Sequence, residues 1–511
     1  VTNGWSVGGD TASGGPPPRH RISRSLATSE RRQRHPVATR WTRTPTPQSP
    51  TIGDDAQSDL THRAQSAFVG QWMRHPARIV PLVFLGAILL GTVLLLLPIA
   101  REGDHSPQFI TALFTATSAV CVTGLAVVDT SGYWSWFGEA VIAGLIQLGG
   151  FGIMTLASLL GLVVAGRLGL RGRLAAQAET RALGLGDVGQ VVRRVAVISF
   201  CVELTLAIIL FARFYFGYDY AFGKAVWHGV FHAVASFNNA GFALYPDSLE
   251  GFVTDPVVLL PITLAVIIGG IGSPVLLELG RRIKRPVKWS IHTKLTVLGT
   301  AILIPVGFFT YLLFEWNNPA TMGPLGFGDK LSTALFSGVM PRSAGFNAIP
   351  MGEVQPETQI VTMVLMFIGA GSASTAGGIK ITTFLLLAFV IWAEIRGEPD
   401  VAIFGRSIGQ SVQRQALTIA LLGVGAVTCG TIALQATTRL PLIDVMFETV
   451  SAFGPVGLST GITPELPTGS QLVLVMLMYT GRVGTVAVGT ALALRSRRRR
   501  FSYPHERPIV G

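Results

Sequence analysis

Long apolar runs recur along the chain from Ile79 onward, with polar stretches between them. A helix that crosses a membrane needs about 20 mainly apolar residues. Runs of that order lie at about 79–100, 136–166, 194–215, 256–280, 294–315, 359–394, 415–436 and 470–494. The pattern predicts eight transmembrane helices. Between the members of each successive pair lies a shorter, half-apolar stretch: FITALFTATSAV, AVWHGVFHAVASF, LSTALFSGVM and DVMFETVSAF. None is long enough to span, which predicts helices that enter the membrane and return to the side they came from.

Each short stretch ends in a small turn with a glycine: CVTGL, NNAGF, RSAGF and GPVGL. The glycines are Gly124, Gly241, Gly345 and Gly457, separated by 117, 104 and 112 residues. A near-constant period with a recurring unit marks internal repeats. Phe114, Phe231 and Phe447 lie ten residues before their glycines, with Leu335 at that place in the third unit. Further glycines follow each turn glycine by 24 to 29 residues: Gly149–Gly150, Gly269–Gly270, Gly369 and Gly481. The predicted fold is therefore an all-α integral membrane protein of eight transmembrane helices. They form four repeats of span, pore helix and span around one central pore, at residues 75–175, 190–290, 291–398 and 412–496.

Non-helical backbone survives at membrane depth only where it lines a cavity or is buried in protein. Glycine tolerates positive φ and can turn successive carbonyls toward one axis. Four such turns would stack carbonyl rings that replace the hydration shell of a monovalent cation, with K⁺ held by backbone oxygens. The candidate filter is Val122, Thr123 and Gly124 in turn 1, and Asn239, Ala240 and Gly241 in turn 2. Turn 3 supplies Ser343, Ala344 and Gly345, and turn 4 Pro455, Val456 and Gly457. Side chains such as Thr123, Asn239 and Ser343 are expected to matter for being short, which allows tight packing behind the backbone.

Two features point to a gate. The sixth run is longer than a bilayer needs and contains GAGSASTAGGIK. Its residues Gly369, Ala370, Gly371, Ser372, Ala373, Ser374, Thr375, Ala376, Gly377 and Gly378 include no bulky side chain, and Lys380 follows. Glycine-rich backbone holds a helix poorly, so a loop is expected that occupies the pathway below the filter. Arg482 is the lone charge between Gln471 and Leu494. A charge at that depth faces a cavity or the bundle interior. It anchors the closed loop, or it forms a structural ion pair with Glu203 or Glu448. Both acids are read as structural, and His232 as a packed pore-helix residue, since no second ligand keeps metal spacing with it.

Charge orients the chain. Of 511 residues 13% are charged and 49% hydrophobic, and the net charge is +12. Bases cluster after the second, fourth, sixth and eighth runs, in RLGLRGR, RRIKRPVK, EIRGE with Arg406 and Arg414, and RSRRRR. The opposite loops, REGDHSP and LYPDSLEGFVTD, carry acids. Positive charge marks the cytoplasmic side, so both termini are placed there and the pore helices enter from outside. The charge excess belongs to this bias and to residues 1–70, and nucleic-acid binding is excluded on that ground. Residues 1–70 are rich in Arg, Ser, Thr and Pro and read as a disordered basic tail without a signal peptide; 497–511 read as a basic cytoplasmic C-terminal tail. Cys121, Cys201 and Cys429 lie too far apart in sequence for a disulfide framework or a metal-ligand motif.

SAVCVTGL, SFNNAGFAL, MPRSAGFNAI and SAFGPVGLSTG resemble the four filter loops of the Trk/Ktr/HKT superfamily of potassium uptake proteins. The similarity is nearest to its KtrB-type membrane subunits. QLGGFGIMT, GAGSASTAGGIK and MYTGRVGT resemble it as well, and the match covers about residues 75–495. The resemblance implies K⁺ uptake across the plasma membrane, one pore per subunit, and homodimers seated among membrane lipids. It also implies a cytoplasmic ring of nucleotide-binding regulatory subunits of the KtrA/TrkA type, which bind the nucleotide; the chain itself needs no cofactor. In such proteins the intramembrane loop is the gate and an arginine in a GR motif borders it. Sodium dependence is left open. An alternating-access cation carrier is the alternative reading. A membrane enzyme is disfavoured, because the spans hold no GxSxG, HExxH or Walker motif.

Overall fold

The apolar runs become helices whose outward faces stay apolar. On Pro76–Leu95, Leu82, Leu85, Leu89 and Val93 are exposed while Phe84, Ile88 and Leu95 are buried. The same inversion recurs on Val188–Gly217, with Phe200, Leu204 and Ile208 exposed, and on Gln410–Thr437, with Leu417, Leu421 and Val424 exposed. Polar side chains go inward: Thr117, Ser118, Thr123, Ser236, Thr333 and Ser451 are all buried. Such a surface matches a hydrocarbon surrounding.

The computed structural model describes residues 76–103, 107–167 and 188–484, all within the unit Gln65–Gly511. The two tails, the RLGLRGR and RSRRRR clusters and the end of the eighth predicted span lie outside the described residues. Four described helices are long and apolar enough to cross a membrane: Trp136–Arg167, Val188–Gly217, Ile291–Phe314 and Gln410–Thr437. Three predicted spans differ from simple rods. The run at 256–280 breaks at Gly272 into Pro256–Ile271 and Ser273–Arg282, bent by 98°. The run at 359–394 becomes Pro356–Phe367 and Ile381–Ile395 with non-helical backbone between them. The last described helix, Thr468–Tyr479, passes into a π-turn at Thr480–Gly484 that carries Arg482. The all-α expectation needs one small amendment, a hairpin that pairs Ala402–Ile403 with Arg406–Ser407.

Four short helices alternate with these elements: Phe109–Cys121, Phe222–Phe237, Phe327–Val339 and Leu442–Phe453. At 1.5 Å per residue none exceeds about 25 Å. Each packs against its own flanking helix and also against a helix of the preceding unit. Trp136–Arg167 meets Phe222–Phe237, Pro256–Ile271 meets Phe327–Val339, and Pro356–Phe367 meets Leu442–Phe453. Thr468–Tyr479 then meets Phe109–Cys121, which closes the series into a ring. Phe114, Phe231 and Phe447 are fully buried inside it. The second glycines now have a reason. A Cβ on Gly149, Gly269 or Gly481 would strike the carbonyl of Val120, Phe237 or Phe453, so each lets a helix press on the end of a short one.

Ile291–Phe314 and Phe327–Val339 approach through Gly307 and Gly338, where a Cβ on Gly338 would lie 2.5 Å from the Gly307 carbonyl carbon. Backbone on both sides cannot yield. Gly338→Ala is expected to destabilise the protein by about 1–3 kcal/mol through overpacking. Gly328→Ala on the same helix meets open space and is expected to be neutral or stabilising by up to ~1 kcal/mol. Thermal unfolding of the purified variants in detergent checks the contrast.

Candidate functional site

The short helices feed directly into the glycine turns, and each turn folds back on its own helix. Thr123 N–H donates to Ser118 O at 2.8 Å, Ala240 N–H to Ala235 O at 2.7 Å, Ala344 N–H to Met340 O at 3.0 Å and Val456 N–H to Ser451 O at 2.9 Å. Left-handed backbone recurs at two places in every turn. Val122, Asn239, Ser343 and Pro455 have φ of 58°, 61°, 82° and 24°; the glycines have 98°, 68°, 69° and 99°. The turns thus direct their N–H groups to the helices behind them. Among the described residues no hydrogen bond reaches the carbonyls of Thr123, Ala240, Ala344 and Val456, although all four residues are fully buried. Buried carbonyls are nearly always paired, so this set is poised for a ligand that accepts oxygen lone pairs.

The four turns form one closed circuit. A Cβ on Gly124 would meet Ala240 O, one on Gly241 Ala344 O at 2.8 Å, one on Gly345 Val456 O, and one on Gly457 Thr123 O. Each glycine thus lies against the carbonyl of the next turn, in chain order and back to the first. The structure brings all twelve predicted filter residues into this one ring. Above it opens a cavity of about 530 Å³ lined by the four glycines together with Asp129, Asp247, Glu250 and Glu353, and by no lysine or arginine. Negative lining of this kind raises the local cation concentration. Burial, and then the neighbouring Asp247, hold the Glu250 carboxyl above the usual carboxylate range, against the lowering effect of its bond from Asn347.

Beside the ring lies the segment from Gly369 to Lys380. It is irregular, and the residues from Ser374 to Ile379 are all buried. Gly371 N–H donates to Gly270 O at 2.8 Å and Ser273 N–H to Ala373 O at 3.3 Å, which docks the segment into the bend at Gly272. Ser372 pairs with Thr382, Ser374 Oγ donates to Gly371 O, and Lys380 Nζ donates to Ala376 O at 2.6 Å. Ala370 O accepts from Ile381 N–H. A Cβ on Gly377 would press on Pro455 of turn 4, and Gly378 has φ 65°. Arg482 is 2% exposed, and its Nη1 donates to Thr375 O.

Of the two readings of Arg482, the contact with the loop is the one seen, and among the described residues it forms no ion pair with Glu203 or Glu448. Glu203 accepts from Gln147 and Asn238, behind turn 2, and Glu448 accepts from Ser459 and Thr463 after turn 4. Both acids act as internal acceptors, as their structural reading requires. The loop also touches the turns. Thr375 Oγ1 donates to Asn239 Oδ1 at 3.1 Å, and Gly377 N–H donates to Ser343 Oγ at 2.9 Å. Asn239 and Ser343 therefore do more than pack. His232 is packed as expected: its Nε2 accepts from Leu244 N–H at 3.3 Å, while Nδ1 pairs with His228 O. Among the described residues no group of three His, Cys, Asp or Glu could hold a metal.

Sequence reading passed over Ser118, Ser451 and Arg342. The serines were detectable, since each stands six residues before its glycine in SAVCVTG and SAFGPVG. Arg342 was visible as a charge beside turn 3; it is buried, and Nη2 reaches Thr300 at 3.3 Å.

A ring of four carbonyl turns enclosed by apolar-faced helices is the construction of a membrane transport protein. The sequence model of the TrkH family, described as a cation transport protein, matches residues 72–499, and the chain belongs to that family. It is a transport protein and not an enzyme. It is 40% identical over 442 residues to the Ktr system potassium uptake protein B of Bacillus subtilis, covering 86% of this chain and 98% of that one. It is 33% identical over 443 residues to the potassium/sodium uptake protein NtpJ of Enterococcus hirae, covering 85% and 97%. The crystal structure of the potassium transporter TrkH from Vibrio parahaemolyticus shares the fold, with a TM-score of 0.65 at 17% identity over 82% of this chain and 84% of that one.

The ring geometry can be tested with paired glycine substitutions. Gly457 and Gly405 both have positive φ, at 99° and 75°, so alanine costs each about 1–2 kcal/mol of backbone strain. Only Gly457 is crowded by backbone; Gly405 faces open space. Gly457→Ala is expected to abolish most cation uptake in protein that still folds, and Gly405→Ala to leave it within about twofold, a difference of well under 1 kcal/mol. Uptake of ⁸⁶Rb⁺ normalised to folded protein checks both.

Proposed function

We propose that this protein takes up potassium across the plasma membrane through a single pore. The chain is read as eight spans in four repeats, with both termini cytoplasmic and the acidic cavity outside. The twelve turn residues from Val122–Gly124, Asn239–Gly241, Ser343–Gly345 and Pro455–Gly457 act as the filter. Potassium loses its water and is held by backbone oxygens. The observation that carries this reading is the set of four buried carbonyls without donors, arranged in a closed ring beneath an acidic cavity. The names of the relatives from Bacillus subtilis and Enterococcus hirae, potassium uptake and potassium/sodium uptake, agree with it. They leave sodium as a transported or activating ion.

The loop Gly369–Gly378 with Lys380 acts as the gate, and Arg482 latches it through Thr375 O. A guanidinium close to a cation pathway opposes ion passage and is itself poorly solvated there, so the latched loop is the closed state. Control falls to a cytoplasmic nucleotide-binding ring that docks a homodimer of this chain. The name "Ktr system" borne by one relative supports a multi-component assembly. The exposed basic segment Arg281–Lys288 offers a surface for it.

Purified protein in liposomes should take up ⁸⁶Rb⁺ down its gradient, with K⁺ competing better than Na⁺. Arg482→Ala should raise that uptake about tenfold or more, since loss of one charge-assisted hydrogen bond is worth about 1.5–3 kcal/mol. No Rb⁺ uptake by folded wild-type protein under any K⁺ gradient contradicts the pore. Uptake that falls in folded Arg482→Ala contradicts the latch.

A further inference from the structure

The four turns share a shape but not a support. In turn 1 Gly124 N–H donates to Ser118 Oγ, and in turn 4 Gly457 N–H donates to Ser451 Oγ, both at 3.1 Å. The matching positions of turns 2 and 3 are Ala235 and Val339, which have no side-chain acceptor. These two turns are supported from the loop instead. Asn239 Oδ1 accepts from Thr375 Oγ1 at 3.1 Å. Ser343 Oγ accepts from Gly377 N–H at 2.9 Å and donates to Pro455 O of turn 4 at 2.7 Å. The corresponding side chains of turns 1 and 4, Val122 and Pro455, cannot hydrogen-bond. Every turn keeps its backbone bond to its own helix, but in side-chain hydrogen bonds turns 1 and 4 are held by their helices and turns 2 and 3 by the segment read as the gate.

We propose that the loop Gly369–Lys380 braces the filter as well as closing the pathway, and that Asn239 and Ser343 are the positioning residues through which loop position sets ion preference. This rests on the reading of the turns as filter and the loop as gate. Both side chains sit on left-handed backbone, at φ 61° and 82°. Such conformations persist where surrounding contacts over-determine them. Displacement of the loop removes one such contact from each. Asn239 then keeps no side-chain partner, because its Nδ2 has none with the loop in place. Ser343 loses the donor that polarises its hydroxyl toward the Pro455 carbonyl. Turns 2 and 3 are thus loosened when the gate opens, while turns 1 and 4 stay tied to Ser118 and Ser451. Discrimination between K⁺ and Na⁺ depends on the field of coordinating carbonyls, so it becomes a function of gate state.

The test is the ratio of ⁸⁶Rb⁺ to ²²Na⁺ uptake by the full chain in liposomes. Arg482→Ala, which removes a hydrogen bond to Thr375 O and none to a filter side chain, is expected to raise Rb⁺ uptake and lower the ratio by roughly fivefold, the factor set by one net hydrogen bond of ~1 kcal/mol. Asn239→Ala and Ser343→Ala should each lower the ratio similarly. Ala235→Ser added to Asn239→Ala should restore it, since a hydroxyl there would accept from Gly241 N–H as Ser118 does from Gly124. Raised uptake with an unchanged ratio in Arg482→Ala overturns the brace and leaves the gate standing. Uptake that does not rise in Arg482→Ala overturns the gate reading itself. A normal ratio in both Asn239→Ala and Ser343→Ala, or a lowered ratio that Ala235→Ser fails to restore, also overturns the brace.

Discussion

Backbone carbonyls taken out of water need a partner, and in this protein four of them converge without one. Thr123, Ala240, Ala344 and Val456 are fully buried, and among the described residues no donor reaches their oxygens. An unpaired buried polar group costs on the order of 1–3 kcal/mol. Four in one ring is a cost that a cation held between them would offset. Much of the surrounding structure follows from presenting them. The turn N–H groups are drawn back to the short helices, so the carbonyls are the groups left over. The helix C-termini that precede the turns add their own partial negative charge at the same place.

The helices around the ring are arranged to allow that approach. Short helices reach only part way, and glycines at 149, 269 and 481 let neighbouring helices press on their ends. In the third unit the glycine at 369 takes a different part. It opens an irregular segment that threads past turns 2, 3 and 4 instead of packing as a helix. The recurring pattern is thereby broken at one position, and the break places Thr375 and Gly377 against turns 2 and 3 and Thr375 against Arg482.

The repeat, the turns and the loop were readable from glycine spacing, because positive φ and close backbone approach leave glycine at fixed intervals. Gly124, Gly241, Gly345 and Gly457 stood out for that reason, and so did the run from Gly369 to Gly378. The bend at Gly272 was hidden, since one glycine inside an apolar run reads equally well as a packing contact. Anchoring of the loop by Arg482 was one of the two readings its position allowed, but which carbonyl it meets, that of Thr375, was hidden, since a carbonyl carries no sequence signal, whereas Glu203 and Glu448 do. Their carboxylates turned out to be engaged by Gln147 with Asn238 and by Ser459 with Thr463. The division of the ring between serine-tied and loop-tied turns was written at one position per turn, Ser118, Ala235, Val339 and Ser451, but it acquires meaning only when the loop is seen to reach Asn239 and Ser343.

The central claim is that the ring of turn carbonyls is an ion site. A crystal or cryo-cooled structure of the protein in rubidium, with anomalous diffraction recorded at the rubidium edge, tests it most directly. The account predicts a peak on the axis between the oxygens of Thr123, Ala240, Ala344 and Val456, which weakens when sodium replaces rubidium. Rubidium found only among Asp247, Glu250 and Glu353 in the outer cavity, with an empty carbonyl ring, would contradict it.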